Sequence, residues 1–463
     1  MSGLFVSAAW KSSGKTTIST GLVAALSRRG IATQPFKKGP DYIDPMWLSI
    51  AAGRACRNLD PRLQGDAMPA YFAHHAAGAD LAFVEGNLGL HDGFEVDGRD
   101  SNAAVARALG LPVVLVLDCR GLTRGLAAIL KGLQVFDPEV RIAGVILNRL
   151  ASRRHEGRLR EAIERYSDVP VIGALAEQPA LSLVERHLGL MPSNEAAEPQ
   201  RTVARLADAI ESCVDVEAVV AAARQARMPA NVTLPVKRVA ARGGPVIGIA
   251  RDRAFGFYYP DDLDALEEAG ARLVTVDTLS DSALPPVDGL FIGGGFPEML
   301  SRPLEANAPL RASIRAAIER GLPVYAECGG LMYLARTLTH AGETREMVGA
   351  LPLDVVMHAK PVGKGYVTLE ETEYHPWPAA ARAPVRAHEF HYSSAENVDP
   401  GLKFAYRVIR GHGVGGGHDG IVHRNVLASY AHLRSVDAGG WARRFIDFVQ
   451  QAMSLPLALG SAR

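Results

Sequence analysis

The sequence predicts an α/β protein made of two different parallel-sheet domains, and three observations carry that reading. Short runs of Val, Ile and Leu recur along the chain without strict polar alternation, the mark of strands covered on both faces. Helical stretches separate these runs, which is the spacing of β–α–β crossovers. The pattern breaks after about residue 192 and resumes near residue 245, and 463 residues exceed what one compact core accommodates.

In the first series Leu4–Ala8 reads as a buried strand, Thr16–Arg29 as a helix ended by Gly30, and Ile31–Phe36 as a strand entering a loop over residues 37–45. Leu81–Glu85, Pro112–Asp118 and Ile142–Asn148 are further strands. Residues 200–227 carry Ala, Arg and Val at helical spacing, and Met228–Pro245 holds the Pro, Asn and Gly of a connector. A second series starts at Val246–Ala250, passes through Arg272–Val276, Gly289–Ile292 and Pro323–Ala326, and ends β-rich at Lys403–Ile409 and Val426–Tyr430. No fixed-period repeat relates the halves. The expected division is a domain over 1–195, a helix and linker over 196–244, and a second domain over 245–463.

Composition excludes several classes. Lys plus Arg and Asp plus Glu both number 50, so the formal charge is zero and a non-specific nucleic-acid binder is not expected. Four cysteines without a C-x-x-C pair argue against a disulfide framework or zinc site and for a reducing cytoplasm. The N-terminus runs directly into a strand, so no signal peptide is expected, and no apolar stretch approaches the ~20 residues that span a bilayer.

Ala9-Trp-Lys-Ser-Ser-Gly-Lys-Thr16 lies between strand and helix and differs from the phosphate-loop pattern G-x-x-x-x-G-K-[ST] only at Ala9. The first domain is therefore expected to be a P-loop parallel-sheet domain that binds ATP. Lys11, Ser12, Ser13, Gly14 and Thr17 would surround the triphosphate, Lys15 would reach its outer phosphates, and Thr16 would ligate Mg²⁺. Glu85 ends a strand, at the carboxyl edge where open α/β sheets bind ligands, and is expected at the same metal with Asp41. Asp41, Tyr42, Asp44 and Asp92 share that edge and are candidates for positioning a substrate, although Pro-Asp and Asp-Gly are also turn formers, which for Asp44 weighs as much. Asp118 could join the metal cluster or cap a helix, and Asn148 could contact a base.

In the second domain Pro323-Val-Tyr-Ala-Glu-Cys-Gly-Gly330 is a strand breaking into a small-residue turn with Cys328 at its apex. Such an elbow exposes a nucleophile at a helix start, which favours thiolate over thiol. The N–H of Gly329 would donate to an oxyanion, and the upstream Gly293-Gly-Gly-Phe-Pro-Glu298 places Gly294 and Gly295 for the other half of the hole. The sulfur needs a base, and His388, His391 and His432 are available. Chemistry alone does not choose between His391 and His432.

These residues resemble a known family. Ala-Glu-Cys-Gly-Gly around Cys328, Gly-Gly-Gly-Phe-Pro-Glu before it and Ser-Tyr-Ala-His at His432 are similar to class I glutamine amidotransferase domains of the corrinoid branch. Lys38–Pro45, Asn58–Pro61, Glu85–Gly93 and Arg186–Leu190 resemble the dethiobiotin-synthetase-like domain of that branch. With Ala250–Tyr259 and His388–Ser393, the resemblance is to the cobyrinate or hydrogenobyrinate a,c-diamide synthases over nearly the whole chain. It implies a flavodoxin-like C-terminal domain, His432 as the base, and glutamine, ATP with Mg²⁺ and hydrogenobyrinate or cobyrinate as reactants. Most class I domains have an acid two residues after the histidine, and this sequence has Arg434; the corrinoid branch lacks that acid, which leaves the ring's orienting group open. Ala9, and Asn87-Leu88 where Val-Met is frequent, are smaller departures.

The implied chemistry is glutamine hydrolysis in the second domain and phosphorylation of a ring acetate in the first, followed by amide formation. Two alternatives compete. The cobyric acid synthases amidate other carboxylates of the ring, but the His388–Ser393 and Gly39–Pro45 signatures disfavour them. A partitioning-type ATPase switch would need neither Cys328 nor His432. The cobalt content of the ring, the order of amidation and the oligomeric state, a homodimer being one option, stay open, and neither nucleic acid nor membrane is an expected partner.

Overall fold

A computed structural model describes residues 2–178, 185–186, 189–228, 243–378, 384–436 and 440–454. The chain divides into two units, Met1–Val236 and Lys237–Arg463. No helix among the described residues is long and apolar enough to cross a membrane.

The first unit is built on a seven-stranded sheet of β1 (Ser2–Ala8), β2 (Thr33–Lys38), β3 (Arg57–Leu59), β4 (Leu81–Glu85), β5 (Val113–Asp118), β6 (Ile142–Leu150) and β7 (Val171–Ala176), in lateral order β3-β2-β4-β1-β5-β6-β7. Every pairing is parallel, so the carboxyl ends of the strands share one edge. Residues Leu4, Val6, Phe83, Val114 and Val116 are fully buried, as strands without alternation require. The order is set by crossovers that place α1 (Lys15–Arg28) after β1 and α2 (Ile43–Ala52) after β2. α1 ends in a Schellman arrangement: Gly30, at φ 74°, donates to the Ser27 carbonyl and Ile31 to that of Leu26.

Two differences from the sequence reading matter for the site. β2 continues to Lys38, which carries Lys37 into the sheet, and α2 begins at Ile43, inside the stretch expected to be loop. The 196–244 stretch contains α3 (Pro199–Cys213) and α4 (Val216–Ala223), whose Leu206, Ala207, Ile210, Val216 and Val219 pack with Ile18 and Leu22 of α1 in one core. Those helices are therefore part of the first unit rather than a separate connecting piece; residues 229–242 of the expected connector lie outside the described residues.

The second unit carries a nine-stranded mixed sheet: β8 (Val246–Ala250), β9 (Arg272–Val276), β10 (Gly289–Ile292), β11 (Val324–Glu327), β12 (Gly363–Glu371), β13 (Val385–His391), β14 (Lys403–Arg410), β15 (His418–His423) and β16 (Val426–Ser429). Its order is β9-β8-β10-β11-β16-β15-β14-β12-β13. The first five are parallel neighbours, and the remaining four add on antiparallel. α5 (Gly329–Leu334) follows β11 directly. Cores lie on the two sides of this sheet, one around Leu290, Ile292, Leu331 and Tyr430 and the other around Phe291, Tyr325, Trp441 and Phe445.

Candidate functional site

In the first unit β1 delivers the chain into a loop over residues 9–14, and α1 opens at Lys15. Gly14 has φ 85°, and a Cβ there would lie 2.4 Å from Asn148 Nδ2, so the position requires glycine. The loop is fastened from the end of β6. Asn148 Nδ2 donates to the Ser13 carbonyl at 2.9 Å, and Arg149 Nη1 donates to the Ser12 carbonyl at 2.7 Å and to Asp118 Oδ2 at 2.7 Å. Asn148, expected to face a base, here braces the phosphate loop. Asp118 is ion-paired with Arg120 and Arg149 rather than with the acid cluster. Lys11 and Ser12 are exposed, and Thr17 is half-buried in the first turn of α1.

Lys15 is buried and donates from Nζ to the Leu88 carbonyl at 2.6 Å. Burial, and then the charge of Lys37, push its pKa down to about 8. Thr16 Oγ1 donates to Glu85 Oε1 at 2.8 Å and lies 3.0 Å from Asp44 Oδ2. Lys37 Nζ joins the same oxygens, 2.5 Å from Asp44 and 2.8 Å from Glu85, with Asp41 Oδ2 at 3.8 Å. Burial opposes that ammonium, but Asp44, Glu85 and Asp41 outweigh it and hold its pKa well above the usual value. Burial would raise Asp44, yet Lys37 keeps it below the ordinary carboxylate range. Asp41 accepts from the N–H groups of Ile43 and Asp44 and so caps α2; burial, and then Asp44, push its carboxyl up to about 7. The carboxylates that meet Thr16 are thus Glu85, as expected, and Asp44, while Asp41, the other expected acid, reaches the cluster through Lys37. Tyr42 stands at the start of α2, and Asp92 Oδ2 accepts from Gly89 N–H beside Ala9.

No group of three or more His, Cys, Asp or Glu is arranged to hold a metal among the described residues. A phosphate-bound cation needs less: one hydroxyl and one or two carboxylates, with phosphates and water completing the shell. Thr16, Glu85 and Asp44 match that donor set, and Glu85 Oε2 is buried without a hydrogen-bond partner. The residues fit Mg²⁺.

In the second unit β11 ends at Glu327 and the chain turns sharply at Cys328, whose φ is 47° and ψ −100°. Close glycines make the turn possible: a Cβ on Gly330 would lie 2.2 Å from the Ile292 carbonyl oxygen. A Cβ on Gly329 would lie 3.0 Å from Gly295 N, so the two glycine segments meet beside the sulfur, and one on Gly294 would lie 2.9 Å from His432 Cε1. The His432 side chain hydrogen-bonds with Cys328, and its Nδ1 is 3.1 Å from Glu327 Oε2. Burial would lower its pKa, but the bonds to Cys328 and Glu327 and their charges raise it to about 10. His391 is elsewhere: its ring stacks on Tyr430 at 3.9 Å, and Nδ1 meets the Ser393 carbonyl at 2.8 Å. His388 stacks on His432 at 5.0 Å; burial, then His432 and Arg434, keep it neutral.

Comparison with known proteins agrees with both halves. Residues 10–190 match the CobQ/CobB/MinD/ParA nucleotide binding domain, and residues 246–437 match the CobB/CobQ-like glutamine amidotransferase domain. A cobyrinate a,c-diamide synthase of Magnetococcus marinus is 48% identical over 95% of both chains. Those of Archaeoglobus fulgidus and Methanosarcina acetivorans are 41% and 40% identical, each over 94% of this chain and 94% and 92% of their own. The chain belongs to the cobyrinate a,c-diamide synthase family.

Within that family frame, several residues that shape the two sites escape a reading by motif. Lys37 reads as loop in the sequence, and only the continuation of strand β2 to Lys38 brings it to the acids. Asn102, on no motif, donates to Ser7 Oγ and to the Asn87 and Gly89 carbonyls and so fixes the loop after Glu85. Asp419 accepts from Ser429 Oγ and from the N–H groups of Tyr430 and Ala431, holding the turn that presents His432. Glu327 is adjacent to the cysteine, but its partner lies far along the chain, and adjacency alone gives no direction for its side chain.

Proposed function

We propose that the chain converts the a and c acetate carboxylates of cobyrinate or hydrogenobyrinate into primary amides, consuming ATP and ammonia taken from glutamine. The observation that carries this reading to the chain's own atoms is the hydrogen-bonded contact of Cys328 with His432 beside the backbone of Gly294, Gly295 and Gly329. The sulfur attacks the side-chain carbonyl carbon of glutamine, and backbone N–H groups of those glycines receive the oxyanion. His432, carrying the proton it takes from the Cys328 thiol, gives it to the departing nitrogen. The C–N bond breaks, ammonia leaves and a thioester remains. Water, deprotonated by His432, then releases glutamate and restores the sulfur.

In the first unit a ring carboxylate oxygen attacks the terminal phosphorus of ATP, ADP leaves, and an acyl phosphate forms. Ammonia attacks its acyl carbon and expels phosphate; the free carboxylate could not react this way, because oxide leaves badly. Lys15 would exchange the Leu88 carbonyl for the phosphates, and Thr16, Glu85 and Asp44 would hold Mg²⁺. The cation would supply charge neutralisation on the phosphates. Asp41, Tyr42 and Asp92 border the same sheet edge and are the groups we assign to positioning the acetate. Free cysteines throughout fit work in a reducing cytoplasm.

Mass spectrometry of the purified enzyme with ATP, Mg²⁺, glutamine and each ring form tests the reading. Exactly two carboxylates of cobyrinate, of hydrogenobyrinate or of both should become amides. A larger number would favour the cobyric acid synthase reaction, and none on either ring would refute the proposal.

A further inference from the structure

We propose that Glu327, the residue immediately before the nucleophile, is the positioning residue for His432 and stands in for the acid that Arg434 replaces. This deepens the glutamine-hydrolysing reading and rests on it.

Glu327 ends β11 almost fully buried, at 3% exposure. Its two oxygens are filled by donors from three directions. Oε1 accepts from Tyr325 Oη at 2.5 Å and from the Leu433 N–H at 3.0 Å, and Oε2 faces His432 Nδ1 at 3.1 Å. An ionised carboxylate only accepts, so the ring nitrogen facing it must carry hydrogen. With Nδ1–H directed at Glu327, the nitrogen that serves the Cys328 sulfur is Nε2. One carboxylate thereby fixes both the orientation and the tautomer of the imidazole, the job an acid performs in other nucleophile–histidine pairs. The Leu433 N–H bond adds register, since it pins the backbone one residue beyond the histidine to the same carboxylate.

Arg434 cannot serve. It is buried, its guanidinium ion-pairs with Asp261 at 2.5 Å, and it lies 4.1 Å over the Tyr259 ring. The groups facing His432 are thus Glu327 and Cys328 from β11 and its turn, neutral His388 from β13, and Arg434 on its own segment. Asp261 and Asp262 lie behind Arg434, where burial pushes Asp262 up to about 7. Among these, Glu327 alone is an acid in hydrogen-bond contact with the ring.

The test is Glu327→Gln in the full-length enzyme, which keeps the shape and removes the charge. Glutamine-driven kcat should fall by about 10²-fold or more. Ammonia-driven amidation, whose residues lie in the other unit, should persist and show that the variant folds. Removing the carboxylate takes away one cause of the raised His432 pKa, so the alkaline limb of glutamine-driven kcat/KM should move to lower pH. A carboxylate that merely satisfies Tyr325 and Leu433 would not move that limb. Glutamine turnover within threefold of the parent, with the limb unmoved, would overturn the proposal. If E327Q loses both activities, Glu327→Asp decides: a shortened acid that sets the ring lowers kcat at least tenfold and shifts the limb, and one that only fills space changes neither. A parent enzyme that releases no glutamate from glutamine would instead refute the underlying glutaminase reading.

Discussion

Cys328 sits where an L-residue rarely goes, at φ 47° and ψ −100°, a conformation that costs about 1–3 kcal/mol unless its surroundings impose it. Here they do. The Cys328 N–H donates to the Ser429 carbonyl at 2.7 Å, its own carbonyl accepts from Met332, and Gly330 leaves no side chain to collide with Ile292. That over-determination makes a specific expectation for Cys328→Ala. The turn is set by backbone and by neighbouring glycines, so the variant should fold with a melting temperature within a few degrees of the parent. Glutamate release should fall to background, while amidation supported by ammonium salts survives; loss of both would mean the sulfur is not specific to ammonia supply. At this scale, legibility in the sequence followed chain distance. Lys15, Thr16 and Cys328 announce themselves because their chemistry is written in one short segment. The choice between His391 and His432 did not, since both lie far along the chain from Cys328 and only the fold shows that His432, three residues past β16, hydrogen-bonds the sulfur while His391 turns its ring onto Tyr430. Glu327 has no legible role in its motif for the same reason, since its partners His432 and Leu433 are about a hundred residues on.

At the scale of elements, the contact of α1 with α3 shows how small residues set geometry. Gly21 faces α3 so closely that a Cβ would lie 2.6 Å from Ile210 Cγ1 and 2.8 Å from the Leu206 carbonyl oxygen. The oxygen belongs to backbone and cannot rotate away. Gly21→Ala should gain up to about 1 kcal/mol of helix propensity but lose about 1–3 kcal/mol to overpacking, a net destabilisation. Gly157 is the counterpart: it lies on the exposed face of the helix Arg153–Tyr166, with nothing within 4 Å of an added Cβ. There the same substitution should stabilise by up to about 1 kcal/mol. Denaturant midpoints of the first unit's transition should therefore move in opposite directions for the two variants; equal shifts would show that helix propensity, and not the α1–α3 approach, governs both. Strands β1, β4 and β5 were legible because both of their faces are buried and their apolar runs are continuous, whereas β3, three residues long, and β7, partly exposed, carry no such run. β12 and β13 were not legible either. β12 reads Gly-Lys-Gly-Tyr-Val-Thr-Leu-Glu-Glu, polar on one side, and β13 is the outermost strand of its sheet, where His-Glu-Phe-His resembles a site motif more than a strand.

For the whole molecule, the two units divide the chemistry in the same way that they divide the core. Ile18, Leu22, Val114, Leu206 and Val219 form one apolar cluster of the first unit, and Ile292, Leu331, Val426 and Tyr430 belong to a cluster of the second. Each unit exceeds the size at which a chain can bury enough surface to fold alone. The residues proposed for each half of the reaction fall within one unit: Lys15, Thr16, Asp44 and Glu85 in the first, Cys328, His432 and Glu327 in the second. Expressed separately, a fragment of residues 1–228 should melt cooperatively and bind ATP with Mg²⁺ in a calorimeter, within about tenfold of the affinity of the full chain. A fragment of residues 243–463 should release glutamate from glutamine, and neither fragment alone should join the two activities. The family's reaction needs ammonia made at one site and consumed at the other, so glutamine-driven amidation is the property that only the intact chain can have. A first fragment that melts without cooperativity would show that α3 and α4 do not complete its core, and the division of the chain drawn above would have to be redrawn.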